Sequence, residues 1–230
     1  MKKKFLAVIL AGAMVLSLGA CGSSSNGSAS TGSSANSGSA SNSSGFAGTP
    51  EADMYTIDLR TEPAEMNSVL TTDVPSSDLL RMTMSGLYYL DENDQPVADL
   101  AESTQVSEDG RTYTMTLRQD AKWTNGEPVT AHDFVFSFQL MCNKETASAY
   151  AFIMTDNLQN GTEVYDGTMD PSELGVKALD DYTLEVTFKN PIPYAEHLLA
   201  FSSYYPINQK AYEEIGADNY GNDMDSLVTN

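Results

Sequence analysis

Residues 22–49 of this chain contain no charged side chain and consist mostly of Ser, Gly, Ala and Asn. Such a composition cannot bury enough apolar surface to offset the conformational entropy that is lost on ordering. The stretch is therefore predicted to be a flexible tether, with a root-mean-square span of roughly 25–32 Å by flexible-chain scaling. Any folded domain has to be built from the residues after position 50.

The residues before the tether have the layout of a secretory signal. Three lysines at positions 2–4 precede an apolar run over residues 5–18, and the small residues Gly19 and Ala20 follow. A retained anchor helix is the alternative, but the run is shorter than the roughly 20 residues that a membrane span requires. Residues 1–20 are therefore predicted to be a signal peptide.

The cysteine that follows this signal predicts an attachment to the membrane. Residues 18–21, "LGAC", resemble the lipobox of bacterial lipoproteins, and the resemblance implies that Cys21 becomes a lipidated N-terminus. Ordinary cleavage that leaves a free thiol is the alternative. The second cysteine, Cys142, then has no cysteine partner and is expected to be a small buried apolar group.

The charge of the chain excludes one class of partner. The formal net charge of -20 arises from 32 acidic and 12 basic side chains. Because a strongly negative protein is repelled by polyanions, no nucleic-acid partner is predicted. Solubility is the simplest explanation of the acidity.

Alternating apolar residues predict two antiparallel hairpins. "STQVS" and "YTMTLR" flank a turn at residues 108–110, and "VKALD" and "YTLEVTF" flank a turn at residues 180–181. The alternation in "MYTIDLR", residues 54–60, predicts a further strand.

A helix is predicted between the two hairpins, which makes the fold class α+β. Thr130 and Asp133 have the spacing of a capping box, and Phe134, Phe138 and Met141 then fall on one helical face. The phenylalanines also alternate, which leaves a strand open as the alternative. Short helices are predicted at residues 78–85, 194–201 and 208–215.

Residue types that carry catalysis or bind metals are scarce. His132 and His197 lack the spacing of a zinc site and are predicted to be surface residues of helices. Residues 91–96, "DENDQP", resemble the start of a calcium loop, but Pro96 occupies the position that requires glycine, so a solvated acidic loop is predicted. The single Trp123 is predicted to be a core residue. No metal, cofactor or catalytic group is therefore predicted.

Several motifs together resemble one family. "LAES", "DGRTYTMTLR", "KWTNGEPVTAHDF" and "GVKALDDYTLEVTFKNPIPY" are similar, in order and spacing, to the solute-binding proteins of peptide ABC transporters, the family 5 type that includes oligopeptide- and dipeptide-binding lipoproteins. The resemblance implies a periplasmic-binding-protein-like fold, type II-like with an extra small domain. Its two lobes close on an extended ligand by a hinge motion.

The resemblance also implies a division into domains. Residues 51–84 correspond to the first segment of lobe I, residues 85–205 to the small inserted domain, and residues 206–230 to a return to lobe I. Members of the family are much longer than this chain. The chain is therefore expected to be truncated to part of lobe I plus the small domain, without the opposite lobe.

Two ligand-binding segments follow from the resemblance. A strand-like segment that lies against the main chain of the ligand corresponds to Thr72, Asp73 and Val74, and a tyrosine that faces the ligand corresponds to Tyr150 in "TASAY". Pairing with the main chain of a peptide gives an affinity that is independent of its side chains. The alternatives are an ordinary loop for the first segment and a half-buried core tyrosine for the second.

The resemblance implies a non-enzymatic component of a peptide importer. We expect a monomer that is lipid-anchored to the outer face of the cytoplasmic membrane, binds extended oligopeptides and docks on an ABC permease. The "TASAY" stretch favours peptide over the nickel, haem or oligosaccharide ligands of related members. A surface hydrolase on the same scaffold and a structural or adhesive lipoprotein are the alternatives.

Overall fold

A four-stranded antiparallel sheet lies at the centre of the computed structural model, which describes residues 57–222 and 226–230. The predicted signal peptide, Cys21 and the tether lie outside these residues. The strand order is β3-β4-β6-β5. The four strands are β3 (Ala101–Val106), β4 (Thr112–Leu117), β5 (Val176–Asp180) and β6 (Thr183–Thr187).

Both predicted hairpins are confirmed. In the first turn Gly110 has a φ of 69°, and the Ser107 hydroxyl donates to Asp109 Oδ1 at 2.5 Å. In the second turn Asp180 accepts hydrogen bonds from the Tyr182 amide at 2.8 Å and the Thr183 hydroxyl at 2.9 Å. The short polar side chains and the glycine therefore form the turns that reverse the chain.

A helix packs on the sheet where the capping box predicted one. Helix α2 (Ala131–Met141) contacts β5 and β6, and the side chains of Phe134, Phe138 and Met141 are fully buried. The helical alternative is thus confirmed over the strand. The apolar face at helical spacing is covered by the core, while the intermediate Phe136 stays partly exposed.

The carboxylate of Asp133 links the start of this helix to the core. Its Oδ2 accepts hydrogen bonds from the Thr130 amide at 2.8 Å, the Thr130 hydroxyl at 3.0 Å and Trp123 Nε1 at 3.3 Å. Trp123 is only 2% exposed, so its predicted place in the core is confirmed. One oxygen therefore caps the helix and also satisfies a buried indole N–H.

A small hairpin precedes the sheet and was not predicted. Strands β1 (Tyr88–Leu90) and β2 (Pro96–Ala98) pair around residues 91–95. The carboxylate of Asp91 accepts from the amides of Asn93 and Gln95, at 2.8 and 2.9 Å. The acidic stretch "DENDQ" is therefore a solvated loop, as predicted, and it is the turn of a hairpin whose strands were not predicted.

The remaining helices are short. The predicted helices near residues 194–201 and 208–215 are confirmed, and two further helices of five residues each were not predicted. The bounds are α3 Ala151–Thr155, α4 Gly161–Tyr165, α5 Ala195–Leu199 and α6 Gln209–Ile215, with 3₁₀ turns at Lys144–Thr146, Pro171–Glu173 and Ser202–Tyr204. Among residues 57–222 and 226–230, no helix has the length and apolar character that crossing a membrane requires.

Two predictions near the start of the described residues are wrong. Residues 57–59 of "MYTIDLR" are not in a strand, and Ile57 is exposed, while Tyr55 lies outside the described residues. Helix α1 (Val74–Thr83) begins four residues earlier than predicted. It does so because Asp73 is the N-cap and Pro75 fits the first turn, where a missing N–H carries no cost.

The predicted surroundings of Cys142 and the histidines are confirmed. Cys142 is a free, buried cysteine, and burial raises the pKa of its thiol to about 12. His132 lies exposed in the first turn of α2, 3.4 Å from Asp181 Oδ1, and His197 lies exposed on α5. None of these three side chains lies in an arrangement suited to catalysis within the described part of the chain.

We expect Asp133→Ala to lower the free energy of unfolding by about 3 kcal/mol, because it removes a helix cap and leaves the buried indole N–H of Trp123 without an acceptor. Asp133→Asn keeps one acceptor oxygen, so we expect a loss of only about 1 kcal/mol. Urea unfolding followed by the fluorescence of Trp123 measures both. Equal losses in the two variants would contradict this role.

A comparison of the natural protein with Asp133→Asn at several pH values tests the electrostatics around Asp133. Burial raises the pKa of the Asp133 carboxyl, although hydrogen bonds from Thr130 and Trp123 act in the opposite direction. The folded state therefore holds the proton more tightly than the unfolded state, and this contribution to stability falls as the pH rises through the folded pKa. The stability advantage of Asp133 over Asn should shrink as the pH rises above about 4, the ordinary range of a carboxyl pKa, and should not widen.

Candidate ligand-binding site

One hydrogen bond links the two segments that were predicted to bind ligand. The Ser148 hydroxyl donates to the Val69 carbonyl oxygen at 2.5 Å, and both residues are buried. Thr72 follows Val69 by three residues and Tyr150 follows Ser148 by two. The bond therefore brings together stretches that lie far apart in the sequence.

The loop before Thr72 is held by its own hydrogen bonds. The amides of Leu70 and Thr71 both donate to the Asn67 carbonyl at 2.9 Å, and the Thr71 hydroxyl donates to the Glu65 carbonyl at 2.6 Å. The hydroxyl oxygen of the buried Ser76, on α1, accepts from the amide of Ala64 at 3.0 Å. These contacts fix the direction in which the chain leaves the loop at Thr72.

The predicted strand-like conformation covers less of this segment than expected. Asp73 is extended, with φ and ψ of -98° and 155°, but Val74 is already the first residue of α1, so Val74 is not part of a strand. Within residues 57–222 and 226–230, the exposed Thr72 has no hydrogen-bond partner for its N–H or its C=O. Val74 is 69% exposed. The free main-chain groups therefore lie at Thr72, directly before the helix.

The carboxylate of Asp73 caps the start of helix α1. It accepts a hydrogen bond from the Ser76 amide at 2.9 Å. Burial acts to raise the pKa of Asp73, but the hydrogen bonds from Ser76 outweigh it, and the pKa lies below its ordinary value. Asp73 is therefore an ionised cap at neutral pH.

Tyr150 lies at the start of α3, after a turn that includes a strained residue. Ala147 has a φ of 54°, in the left-handed region that residues other than glycine rarely adopt. The half-buried ring of Tyr150 meets the rings of Phe152 and Phe201 edge to face, with centroids 6.1 and 5.9 Å apart. The predicted role of Tyr150 in ligand binding stays a prediction.

Three further exposed aromatic residues, two of which contact Tyr150, were not predicted. Phe152, Tyr194 and Phe201 are exposed although each is a large apolar residue. Their signal in the sequence was the presence of aromatic residues in or near the two short helices, in "YAFI" and "PYAEHLLAF". Exposed aromatic side chains that lie together mark an interaction surface more often than isolated ones do.

The groups that lie at this site can bind a ligand. The part of the chain that the structure describes contains no group of three or more His, Cys, Asp or Glu side chains arranged to hold a metal ion. What the site offers is the free main chain of Thr72 and the half-buried ring of Tyr150. Such groups recognise a ligand by hydrogen bonds and by apolar contact.

Relatives of known name match most of the chain. The "Oligopeptide-binding protein OppA" of Bacillus subtilis (strain 168) is 32% identical over 214 residues, which is 93% of this chain and 37% of the relative. The "Periplasmic oligopeptide-binding protein OppA" of Haemophilus influenzae is 37% identical over 156 residues, 67% of this chain and 29% of the relative. The chain thus spans about a third of the length of these curated relatives.

Solved structures match the described fold. An oligopeptide ABC transporter substrate-binding domain from Bacillus anthracis str. Ames has a TM-score of 0.70 and 46% identity, over 74% of this chain and 33% of that one. Haemophilus influenzae OppA in complex with RPPGFSPFR has a TM-score of 0.71 and 38% identity, over 75% of this chain and 33% of that one. The predicted fold, α+β and periplasmic-binding-protein-like, is confirmed by these likenesses.

The family itself matches residues 95–229, under the description "Bacterial extracellular solute-binding proteins, family 5 Middle". This match and the resemblance noted in the motifs around Trp123 agree. Because the match covers more than half of the chain, the chain belongs to the bacterial extracellular solute-binding proteins of family 5.

Proposed function

We propose that this chain forms part of a substrate-binding protein that captures extended oligopeptides and delivers them, chemically unchanged, to an ABC permease. The observations that carry the proposal are the exposed, unpaired main chain of Thr72 and the Ser148–Val69 hydrogen bond, which joins the loop before Thr72 to the stretch before Tyr150. The proposed ligand contacts are Thr72, Asp73, Val74 and Tyr150.

The unpaired main chain favours a peptide on physical grounds. An extended peptide carries alternating N–H and C=O groups that can pair with those of Thr72, and this gives affinity whatever the side chains are. Asp73 contributes through its extended main chain, since its carboxylate caps α1. Tyr150 then supplies a ring against the side of the ligand.

The relatives support the same class of ligand. Two solved relatives, from Listeria monocytogenes and Haemophilus influenzae, are described as bound to peptide. Several curated relatives are named as oligopeptide- or dipeptide-binding proteins. These names favour peptide over nickel, haem or oligosaccharide, the other ligands considered for this scaffold.

The proposal includes the placement of the protein outside the cell. Residues 1–20 act as a signal peptide, Cys21 carries lipid, and residues 22–49 form a tether. A double acyl chain is sufficient for lasting attachment without a spanning helix. The protein acts as a monomer, with residues 51–84 and 206–230 in one lobe and residues 85–205 in the small domain.

Peptide titration tests the proposed function directly. We expect the chain without residues 1–20, carrying Cys21→Ser, to bind uncharged tetrapeptides without hydrolysing them. Nuclear magnetic resonance titration is suitable because it also detects millimolar dissociation constants. Tyr150→Ala should weaken binding about tenfold, because an aromatic contact is lost, whereas Tyr89→Ala, an exposed tyrosine on β1, should not.

Three results would contradict the proposal. If peptides leave the spectrum unchanged, peptides are not the ligands of this site. Binding of nickel, haem or an oligosaccharide instead would indicate that the protein carries a non-peptide ligand, as related members of the family do. Cleavage products in the titrated sample would favour the hydrolase.

Ser148→Ala tests whether the two segments must be held together. Removal of the hydroxyl leaves the buried carbonyl of Val69 unpaired, so we expect a loss of about 1–2 kcal/mol in the free energy of unfolding. Peptide affinity should fall as well. Ser137→Ala is a matched control, since the Ser137 hydroxyl donates to the buried Tyr205 carbonyl at 2.7 Å, and both residues lie outside the two predicted ligand-binding segments. Equal effects of both variants on affinity would contradict the role of Ser148.

Cys21→Ser tests the anchor. We expect the natural chain, expressed in a bacterial host with labelled palmitate, to incorporate the label and sediment with membranes. The variant should do neither, because a hydroxyl does not receive the lipid. Sedimentation of the unlabelled variant with membranes would show that attachment does not depend on Cys21.

A further inference from the structure

An open apolar cleft lies between helices α3 and α5, beside Tyr150. Its volume is about 550 Å³, and its apolar walls are formed by Phe152, Ile153, Tyr194, Leu198 and Phe201. We call these five residues the aromatic cleft. A volume of this size lies within the range of about 300–1,000 Å³ that is typical of small-ligand pockets.

The walls of the aromatic cleft are held in place from below. The carbonyl of Ile153 accepts hydrogen bonds from the buried Tyr204 hydroxyl at 3.0 Å and from Asn157 Nδ2 at 2.7 Å. On the opposite wall, Ala195 and Leu199 bury the inner face of α5 in the core. The cleft is therefore formed before any ligand arrives, which lowers the cost of ordering it on binding.

The aromatic cleft is continuous with the proposed ligand contact at Tyr150. Two of its rings, Phe152 and Phe201, are the same two that meet the Tyr150 ring edge to face. Phe152 is 56% exposed, so its ring presents a surface to an incoming group. A peptide that passes along Tyr150 would bring one of its side chains to this surface.

The charges at the cleft limit which side chain fits. Asp156 and His197 lie at its edge, and no lysine or arginine is among the described residues that line it. An acidic side chain would meet negative charge without a fixed cation to offset it, whereas an uncharged aromatic side chain would not.

We propose that the aromatic cleft is a specificity subsite that receives one large aromatic side chain of the bound peptide. This inference rests on the proposed function, because it assumes a peptide held at Tyr150. It adds selectivity to capture through the main chain: a backbone-bound peptide gains affinity when a phenylalanine-type residue falls at the cleft and gains none from a glutamate there.

The test uses tetra-alanine and the peptides in which a single alanine, at each position in turn, is replaced by Phe or by Glu. Each peptide is titrated into the chain without residues 1–20 that carries Cys21→Ser, and binding is followed by nuclear magnetic resonance. One of the Phe peptides should bind about tenfold more tightly than tetra-alanine, as expected for partial burial of a ring. The corresponding Glu peptide should gain nothing. Phe152→Ala should reduce the Phe advantage to about twofold, and it should weaken the Phe peptide more than tetra-alanine, although Phe152 also packs against Tyr150. Leu179→Ala, at a similarly exposed site on β5, is the control and should change neither.

The outcomes separate the subsite from the proposed function. If no peptide binds, the proposed function fails. If all peptides bind equally, or if the Phe advantage survives both Phe152→Ala and Phe201→Ala, peptide capture stands and the subsite is wrong. Equal weakening of all peptides by Phe152→Ala would also overturn it, because the cleft would then not select side chains. Far-ultraviolet circular dichroism shows that each variant is folded.

Discussion

The pairing of strand β4 with strand β6 is the contact on which the rest of the described fold depends. It joins two local hairpins, which lie about sixty residues apart, into one sheet, with Tyr113 opposite Val186 and Met115 opposite Leu184. Helix α2 can bury its phenylalanines only because that sheet supplies a continuous apolar face. The chain that leaves α2 leads directly to Ser148 and Tyr150, so the position of the candidate site follows from the sheet.

The site itself is formed where regular structure stops. Ala147 adopts a left-handed conformation between a 3₁₀ turn and α3, and this places Ser148 inward against Val69. Residues in such sparsely populated conformations persist only where their surroundings hold them, and they are frequent at binding sites. The result is one rigid junction between a loop that leaves a main chain unpaired and a helix that carries aromatic rings.

Local sequence patterns were sufficient to predict much of the fold. Contacts between residues far apart in the sequence could not be predicted from them. The two hairpins and α2 could be predicted because their turns and the Thr130–Asp133 cap act within a few residues. "MYTIDLR" shows that alternation alone does not make a strand, since residues 57–59 form none. Helix α1 was predicted four residues too late because a serine was taken as its cap, whereas Asp73 caps it.

The candidate site was predictable only through the resemblance to a family. That resemblance selected Thr72 and Tyr150, but the Ser148–Val69 hydrogen bond joins residues 79 positions apart, and no local pattern reveals such a contact. The aromatic cleft was missed for the same reason: Phe152 and Phe201 are neighbours only after the chain has folded.

The burial of Cys142 has a consequence for the reactivity of its thiol towards disulfides. A thiolate is the form that exchanges with disulfides, and a thiol with a pKa of about 12 is almost never ionised near neutral pH. While the protein is folded, this sulfur can neither form mixed disulfides nor cross-link two molecules. Packing therefore protects this thiol from exchange without a disulfide partner.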